Sequence, residues 1–553
     1  MIFMKRANKI ASLIGLISFS LIVVNITRID IQLTLGAPRN EPFLIHTSWD
    51  SGNGTIENPY ILENKTYDGG STNGYTLVNF HNYFIIHNCT FINSGTADDN
   101  AGLRLVGVEN GLIFNNTFKS CQNGILFSQQ VSTCQNNIVM NNTFRNNING
   151  IRVAYLARQI NITGNKFFNN VDGVELFGRD SNSVSYNYLE SNNVGIHLLG
   201  SDSNDIIGNQ VRYNTNFGIY LENSDTNEII GNTVRNSAVG VLLDTSRTNN
   251  IYLNFIYSNT EGITFQSISN DNSIDNNTIY TNDKGIHLYG SDSNDIVGNQ
   301  VRYNTNYDIY LEDSNTNEII GNILRNSAFG VLLDTSRTND IYLNVIFSNT
   351  EGITFQTHSD DNTIYNNTFY NNNDHISLTS SSGNTFHNGS IGNNWDNYDG
   401  YDCNGDRIGE TPYEEGTISD PYPICYQPDI YEPIVSIINL IDGQVFATTA
   451  PSFTLSIQEY LVDTIYYQID GNFNYTCGSS DTMDQTLWDS LPDGRHNITF
   501  YVHDVANNVG VAEVYIFKDT TEEPSIPFGH YFSLIMIVAV IGALIYYKRK
   551  ISI

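Results

Sequence analysis

Residues Gly195–Asp374 contain one block written twice. GIHLLGSDSNDIIGNQVRYNTNFGIYLENSDTNEIIGN starts at Gly195, and GIHLYGSDSNDIVGNQVRYNTNYDIYLEDSNTNEIIGN starts at Gly285, 90 residues later. Each copy carries a rhythm of 22 or 23 residues. Its units start at Gly195, Gly218, Gly240 and Gly262, then at Gly285, Asp308, Gly330 and Gly352. A fixed period of this size is the signature of a solenoid, in which each unit contacts only its neighbours.

One unit, GVLLDTSRTNNIYLNFIYSNTE from Gly240, shows the local logic. Val241 and Leu243 alternate with Leu242 and Asp244, a period-2 strand. A polar turn, Thr245–Asn249, leads to short strands around Ile251 and Ile256, with Asn254 between them. There is no room for a helix. Stacked units give apolar columns: Ile196, Ile219, Val241, Ile263, Ile286, Ile309, Val331 and Ile353 form one. Leu198, Leu221, Leu243, Phe265, Leu288, Leu311, Leu333 and Phe355 form another, and a third runs from Ile206 to Ile364. No unit buries its apolar side alone, but a stack does. About 22 residues per turn predicts a right-handed parallel β-helix, since a left-handed hexapeptide helix wants roughly 18.

The polar columns are as regular. Asn116, Asn142, Asn165, Asn187, Asn209, Asn232, Asn254, Asn277, Asn299, Asn322, Asn344 and Asn367 take one slot per coil. A second set, Asn182, Asn204, Asn227, Asn249, Asn272, Asn294, Asn317, Asn339 and Asn362, lies five residues earlier. Both read as structural ladders: Asn tolerates left-handed backbone, and its amide bonds to the same residue in the next coil. Cys89 stands in the first ladder's slot and reads as a buried free thiol.

Before the duplicated block, coils start at Gly102, Gly124, Gly150 and Gly173, and a last one starts at His375. That predicts thirteen coils, a rod of about 60 Å. The stretch 38–101 is less regular, and GNGTIENPYILEN (Gly52–Asn64) reads as a cover for the lower end, where strand edges would otherwise stand unpaired. After the last coil comes GNNWDNYDGYDCNGDRIGETPYEEGTISDPYPI, Gly392–Ile424, in which Trp395, Tyr398 and Tyr401 can cap the upper end. Asp402, Asn404 and Asp406 are spaced like the first half of a calcium loop, so calcium is the candidate ion. Arg407 and Tyr413 stand where an EF-hand needs Gly and Glu, and a polar turn is the plain alternative.

GNGTIENPYILEN, NYFIIHNCTF, the repeated GIxL…NNTI coils and WDNYDGYDCNGDRIGETPY resemble NosD-like parallel β-helix surface proteins. These fall within the wider group of carbohydrate-binding and sugar-hydrolase β-helix domains. The resemblance covers about residues 40–425, and its motifs are specific for fold rather than chemistry. It implies an exported protein, often with an appended immunoglobulin-like module. The chain departs from the usual terminator at Arg407 and Glu410, where Gly and Asp are typical, which weakens the calcium reading. The copper in the family's name does not carry over: there are five Met and no Cys/His cluster at ligand spacing.

Both ends of the chain point to the cell surface. Lys5, Arg6 and Lys9 precede the apolar run Ile10–Val24, so residues 1–36 read as a signal peptide or N-terminal anchor. The β-helix with its caps occupies 38–428. Residues 429–519 change to alternating strands split by turns such as LPDGRH, a β-sandwich resembling bacterial immunoglobulin-like modules, with Trp488 in its core. A linker, 520–530, precedes the uncharged apolar run 531–547, a candidate transmembrane helix. Lys548, Arg549 and Lys550 place the short tail 548–553 on the cytoplasmic side. Six Cys do not make a disulfide scaffold, though Cys121 with Cys134, and Cys403 with Cys425, are near enough to pair.

The formal net charge is −32, and the deficit lies in Lys and Arg, which excludes the basic stripe a nucleic-acid partner needs. The outward face of the first strand of each unit carries His197, Tyr220, His287 and Tyr310, the candidate ligand contacts, in a column with Arg152, Glu175, Leu242 and Thr264. Beside them Glu222 with Asp244, and Glu312 with Asp334, set carboxylates about 5 Å apart between coils. That separation suits a retaining glycosidase. The pairs recur with the duplication, however, whereas an active site needs one unique pocket. No catalytic residue is assigned, and these four carboxylates are the candidates. His87, His358, His375 and His387 are scattered and read as surface or coil residues. Sequons just before ladder positions, at Asn115, Asn141, Asn276 and Asn366, should point outward, whereas Asn88 reads as lying inside a coil.

The sequence therefore predicts a membrane-anchored extracellular β-helix that binds a polysaccharide or surface glycan without catalysis. A polysaccharide lyase or glycoside hydrolase is the first alternative, and a structural coat or spacer the second.

Overall fold

The computed structural model describes residues 49–128, 133–178, 181–400, 407–409, 411–425, 432–459, 462–504 and 508–520. The expected signal segment (1–36), transmembrane run (531–547) and tail (548–553), and the calcium candidates Asp402, Asn404 and Asp406, lie outside these residues. So does all of the expected linker except Thr520. Among the described residues no helix is long and apolar enough to cross a membrane. The chain divides into two compact units, Met1–Cys425 and Tyr426–Ile553.

The first unit is a right-handed solenoid of three parallel sheets. The first sheet runs from Tyr60–Glu63 up to Thr363–Tyr365, with 14 strands. The second runs from Thr66–Asp68 to Thr368–Tyr370 and ends on Asn394–Trp395, with 15 strands. The third runs from Tyr75–Val78 to Asp374–Leu378, with 14 strands. The solenoid thus has about fourteen turns rather than thirteen. The additional turn is the first one: Tyr75 pairs with Leu103 across a coil longer than the later ones, so its period is masked.

The apolar columns meet inside. Ile196, Ile219, Val241, Leu198, Leu221 and Leu243 all have no exposed surface, and Ile206, Ile229 and Ile251 complete the third wall. In the lower coils the second sheet contributes a stack of aromatic rings, with Phe91, Phe118, Phe144 and Phe167 spaced by 4.7–4.8 Å. Trp49 covers the lower end against Tyr60, Phe80 and Phe84. At the upper end Trp395 stacks on Phe369 at 4.7 Å and under Tyr413 at 4.4 Å, and Tyr398 packs at the edge of this core. Tyr401 lies outside the described residues.

One asparagine ladder stands at each of the three corners. In the ladder between the first and second sheets, Asn254 Nδ2 donates to Ile229 O (2.9 Å), Tyr252 O (3.1 Å) and Asn277 Oδ1 (2.9 Å). Its Oδ1 accepts from the backbone N–H and the Nδ2 of Asn232 at 2.8 and 3.0 Å. Each side chain thereby satisfies corner groups that the sheets leave free, which a buried corner requires. Cys89 begins this ladder as a buried thiol, its N–H donating to Asn116 Oδ1 at 2.9 Å. Asp420 ends it, its Oδ2 accepting from Asn393 N (2.7 Å) and Trp395 Nε1 (2.9 Å). The set from Asn182 to Asn362 forms the corner between the third and first sheets.

Two regularities go beyond the sequence reading. A third ladder, including Asn147, Asn170, Asn192 and Asn214, fills the remaining corner. A serine ladder, including Ser201, Ser224, Ser246 and Ser269, runs beside the Asn204 corner. The conformational role of Asn also needs correction. The ladder asparagines are not left-handed; the residue before each one is, as at Asn115 (φ 54°), Tyr186 (φ 54°) and Leu253 (φ 58°). The left-handed residue turns the corner and aims the following amide inward. Asn88 occupies this same slot and is exposed, not inside the coil.

Cys121 and Cys134 do not pair; both are buried free thiols. They occupy different corners: the Cys121 N–H joins the third ladder at Asn147 Oδ1, while Cys134 Sγ accepts from Val108 N. For the other expected pair, Cys403 lies outside the described residues.

The second unit has small, largely antiparallel sheets of three and five strands around a core that includes Trp488, Phe453, Tyr467 and Phe500. A short helix, Gln485–Ser490, starts at Asp484, whose carboxylate accepts from Leu487 N. Lys518 Nζ ends it, donating to Trp488 O and Leu491 O, both at 2.7 Å.

Candidate functional site

Outward side chains of the third sheet stand in three columns because alternate residues of a strand share a face. The register places His197 beside Tyr220 and Glu222 beside Asp244 in neighbouring strands, and likewise His287 beside Tyr310 and Glu312 beside Asp334. The remaining column holds the residue before each glycine position, and includes Asp172, Val194, Glu261 and Lys284. The sequence reading did not use that third column.

Both expected His–Tyr pairs stack. The His197 and Tyr220 rings lie 4.8 Å apart at 8°, and those of His287 and Tyr310 lie 4.7 Å apart at 2°. Their faces are turned along the solenoid axis towards neighbouring coils, so the face presents ring edges, hydroxyls and carboxylates. Burial pushes the Tyr220 and Tyr310 phenols well above their ordinary value, and the adjacent carboxylates Glu222 with Asp244, and Glu312 with Asp334, add to it. Both tyrosines are therefore neutral hydrogen-bonding groups. The middle column is partly shielded: Leu242 is 4 % and His287 7 % exposed. Tyr289, in the flanking column, is exposed.

The two histidines differ in what lies below them. His287 belongs to a closed network: Glu261 to Lys284 at 2.9 Å, Lys284 Nζ to His287 Nδ1 at 3.4 Å, and His287 Nε2 to Glu312 at 3.1 Å. Thr264 Oγ1 donates to Glu261 at 2.6 Å. The hydrogen bond from His287, helped by those from Thr264 and Lys284, outweighs burial and lowers the Glu261 carboxyl to about 2.

Below His197 stand Asp172, Glu175 and Arg152. His197 Nδ1 lies 3.3 Å from Asp172 Oδ2, while its Nε2 is 3.7 Å from Glu222 and has no hydrogen-bond partner. Arg152 Nε lies 3.0 Å from Glu175, which also accepts from Asn149 Nδ2 at 3.0 Å. Burial raises the Glu175 carboxyl, with Arg152 opposing. Burial works against charge on His197, yet the hydrogen bond to Asp172 and the charges of Asp172, Glu175 and Glu222 raise it overall. Asp172, Glu175 and His197 each offer a ligand atom, all within 4.8 Å of one another. The signal in the sequence was Asp172 immediately before Gly173, in the unread column.

The carboxylate pairs Glu222–Asp244 and Glu312–Asp334 are register neighbours, but each acid has another partner. Gln266 Nε2 donates to Asp244 at 3.0 Å, Thr335 Oγ1 donates to Asp334 at 3.3 Å, and Glu222 and Glu312 face the histidines. His375, read as a surface or coil residue, is a coil residue. It is buried in the glycine column of the last coil, its Nε2 2.8 Å from Asp396. A side chain is tolerated there because the third sheet has no strand above it.

A family described as periplasmic copper-binding protein (NosD) matches residues 130–268 and 211–400, and the right-handed beta helix region matches 48–189. Residues 48–400 are thus a NosD and right-handed β-helix domain. The donor set at His197, one imidazole and two carboxylates, lacks the sulfur ligands that select copper(I) and does not single out copper(II) from other divalent transition metals. No curated protein matches the chain.

Among solved structures, the chain is similar to the Dettilon tailspike protein at 14% identity, covering 75% of this chain and 74% of that one, with a TM-score of 0.41. The A-module of the Azotobacter vinelandii mannuronan C-5 epimerase AlgE6 is 15% identical, with coverages of 58% and 88% and a TM-score of 0.34. The catalytic domain of a GH87 α-1,3-glucanase is 13% identical, with coverages of 51% and 61% and a TM-score of 0.35. At these values the likenesses carry nothing about chemistry.

Proposed function

We propose that this chain is an exported surface protein whose third sheet binds a polysaccharide without cleaving it. The observation that carries the reading is the pair of His–Tyr stacks, His197 with Tyr220 and His287 with Tyr310, set in the same slots four coils apart. At ~4.8 Å per coil the two stacks lie about 19 Å apart on one straight face. Each presents a neutral tyrosine hydroxyl beside carboxylates, a hydrogen-bonding rim suited to sugar hydroxyls. Two weak contacts on one polymer add by multivalency.

The periplasmic or extracellular location follows the family description and the n-region and h-region of residues 1–36. The C-terminal segment 531–547 would anchor the chain, and the unit beyond residue 429 would serve as an immunoglobulin-like spacer. Calcium at Asp402, Asn404 and Asp406 would order the terminator.

Retention of the full-length protein on a panel of immobilised neutral and acidic polysaccharides tests the reading. Binding to at least one polymer, weakened several-fold in Tyr220→Ala and further in the Tyr220→Ala/Tyr310→Ala double variant, is expected. Release of unsaturated or reducing ends, lost in Glu222→Gln, would replace binding with catalysis by the carboxylate pairs.

A further inference from the structure

The duplication provides an internal comparison at the two histidines. Above them the coils match: Tyr220 and Glu222 in the first copy, Tyr310 and Glu312 in the second. In the strand of the histidine itself, the residue before the glycine is Lys284 in the second copy and Val194 in the first. The Lys284 ammonium sits between Glu261 and His287, at 2.9 and 3.4 Å. A cation is therefore built into the second site by the chain.

The first site has more negative charge and no ammonium. Glu261 and Thr264, in the strand below His287, are replaced by Asp172 and Glu175 in the strand below His197, so two carboxylates face His197 instead of one. Glu175 is only 7 % exposed, and its neighbour Arg152 reaches it from the coil below rather than from between the carboxylates and the imidazole. His197 Nε2 is buried and without a hydrogen-bond partner, with Glu222 3.7 Å away.

We propose that Asp172, Glu175 and His197 hold a divalent transition-metal cation where the second copy uses the Lys284 ammonium. One imidazole and two carboxylates are the ligand types of a three-residue zinc-class site that leaves a coordination position open. Their ligand atoms already lie within 4.8 Å of one another. Glu222 Oε2 stands 3.7 Å from the far nitrogen of His197, on the side where a carboxylate accepts a hydrogen bond from a metal-bound imidazole once the two close by a few tenths of an ångström. The open position would face the same rim as Tyr220, and the site stands whether or not a polysaccharide binds there.

Isothermal titration of the full-length, chelator-treated protein with zinc tests this. Wild type should bind one zinc per chain with a dissociation constant of about 1 µM or tighter. Val194→Lys, which copies the second site's ammonium into the first, should reduce affinity at least a hundredfold, as should His197→Asn. His287→Asn should leave it unchanged. Melting curves identify any variant that fails to fold, and Glu175→Gln provides a further substitution at the site. Absence of zinc binding by wild type, or unchanged affinity in folded Val194→Lys and His197→Asn, would overturn the proposal.

Discussion

Ser327 Oγ donates a 2.5 Å hydrogen bond to Asp308 Oδ1, joining a carboxylate in the glycine column to a serine in an asparagine ladder. Asn304 Nδ2 donates to the same oxygen at 2.8 Å. The first copy has Gly218 and Ser237 in these places, and there Ser237 Oγ and Asn214 Nδ2 are buried without partners. A Cβ at Gly218 would meet Val234 Cγ1 at 2.4 Å. The matching residue in the second copy is Leu324, which has no branch at Cβ. Asp308 and Leu324 thus act together to give Asn304 Nδ2 and Ser327 Oγ the acceptor that Asn214 and Ser237 lack in the first copy.

Asp308→Gly should destabilise the second copy by about 1–3 kcal/mol, the cost of leaving buried polar groups unpaired. Burial holds the Asp308 carboxyl well above its ordinary value against the hydrogen bonds from Ser327 and Asn304. Its contribution is therefore complete below the ordinary carboxylate range and lost as pH rises through the folded value. Asp308→Asn, which keeps an acceptor and cannot ionise, should gain in urea midpoint over wild type as pH rises from 4 to 8. A gain that shrinks with pH would contradict this sign.

Glu261 carries the opposite sign. Its carboxyl is lowered to about 2, so its stabilisation is present above the ordinary Glu value and lost as pH falls towards 2. Glu261→Gln should cost about 2 kcal/mol at neutral pH, the order of a charge-assisted hydrogen bond. The difference should vanish near pH 2. For His197, raised overall, the stabilisation is full below the ordinary His value and fades as pH climbs through the folded one. His197→Gln should therefore be more costly at pH 5 than at pH 9. Paired denaturation curves check both.

Within a ladder, Asn254→Ala removes three donated hydrogen bonds and leaves the Asn232 N–H without its acceptor. A loss of several kcal/mol, at about 1–3 per unsatisfied buried group, is expected. Asn254→Asp should be at least as damaging, because a carboxylate would face the Ile229 and Tyr252 carbonyls without a donor. Amide hydrogen exchange should show the loss centred on the coils around residue 254.

Asp420 takes over only the accepting half of this role at the ladder's upper end. Asp420→Ala frees the N–H groups of Asn393, Trp395 and Tyr422 at once. Fluorescence of Trp395 should shift to the red as the cap opens, whereas the coils below residue 350 should keep their exchange protection.

The coil, its three walls and two of its ladders were legible because a solenoid repeats its physics in its sequence: Ile206, Ile229 and Ile251 face the same environment and are the same residue. The first turn was not, because its coil is longer than the period set by the later ones. The ladders' chemistry was partly misread. Stacking of Asn254 was visible in the pattern, but the left-handed backbone belongs to Leu253, whose side chain gives no hint of it. At the candidate site, the His197–Tyr220 and Glu222–Asp244 alignments followed from the period. The cluster with Asp172 did not, since it depends on three columns meeting and on side-chain direction. The disulfide expected between Cys121 and Cys134 failed because nearness in sequence is not nearness across a coil.

The central claim is that one face of the third sheet binds a polymer through two His–Tyr pairs set in the same slots four coils apart. Excising residues 195–284 joins Val194 to Gly285 in register, shortens the solenoid by one copy and leaves one His–Tyr pair. Affinity for the polysaccharide retained by the full chain should then fall by about ten- to a hundredfold, as expected when a second linked contact is lost. Unchanged affinity in the folded, shortened protein would contradict the account.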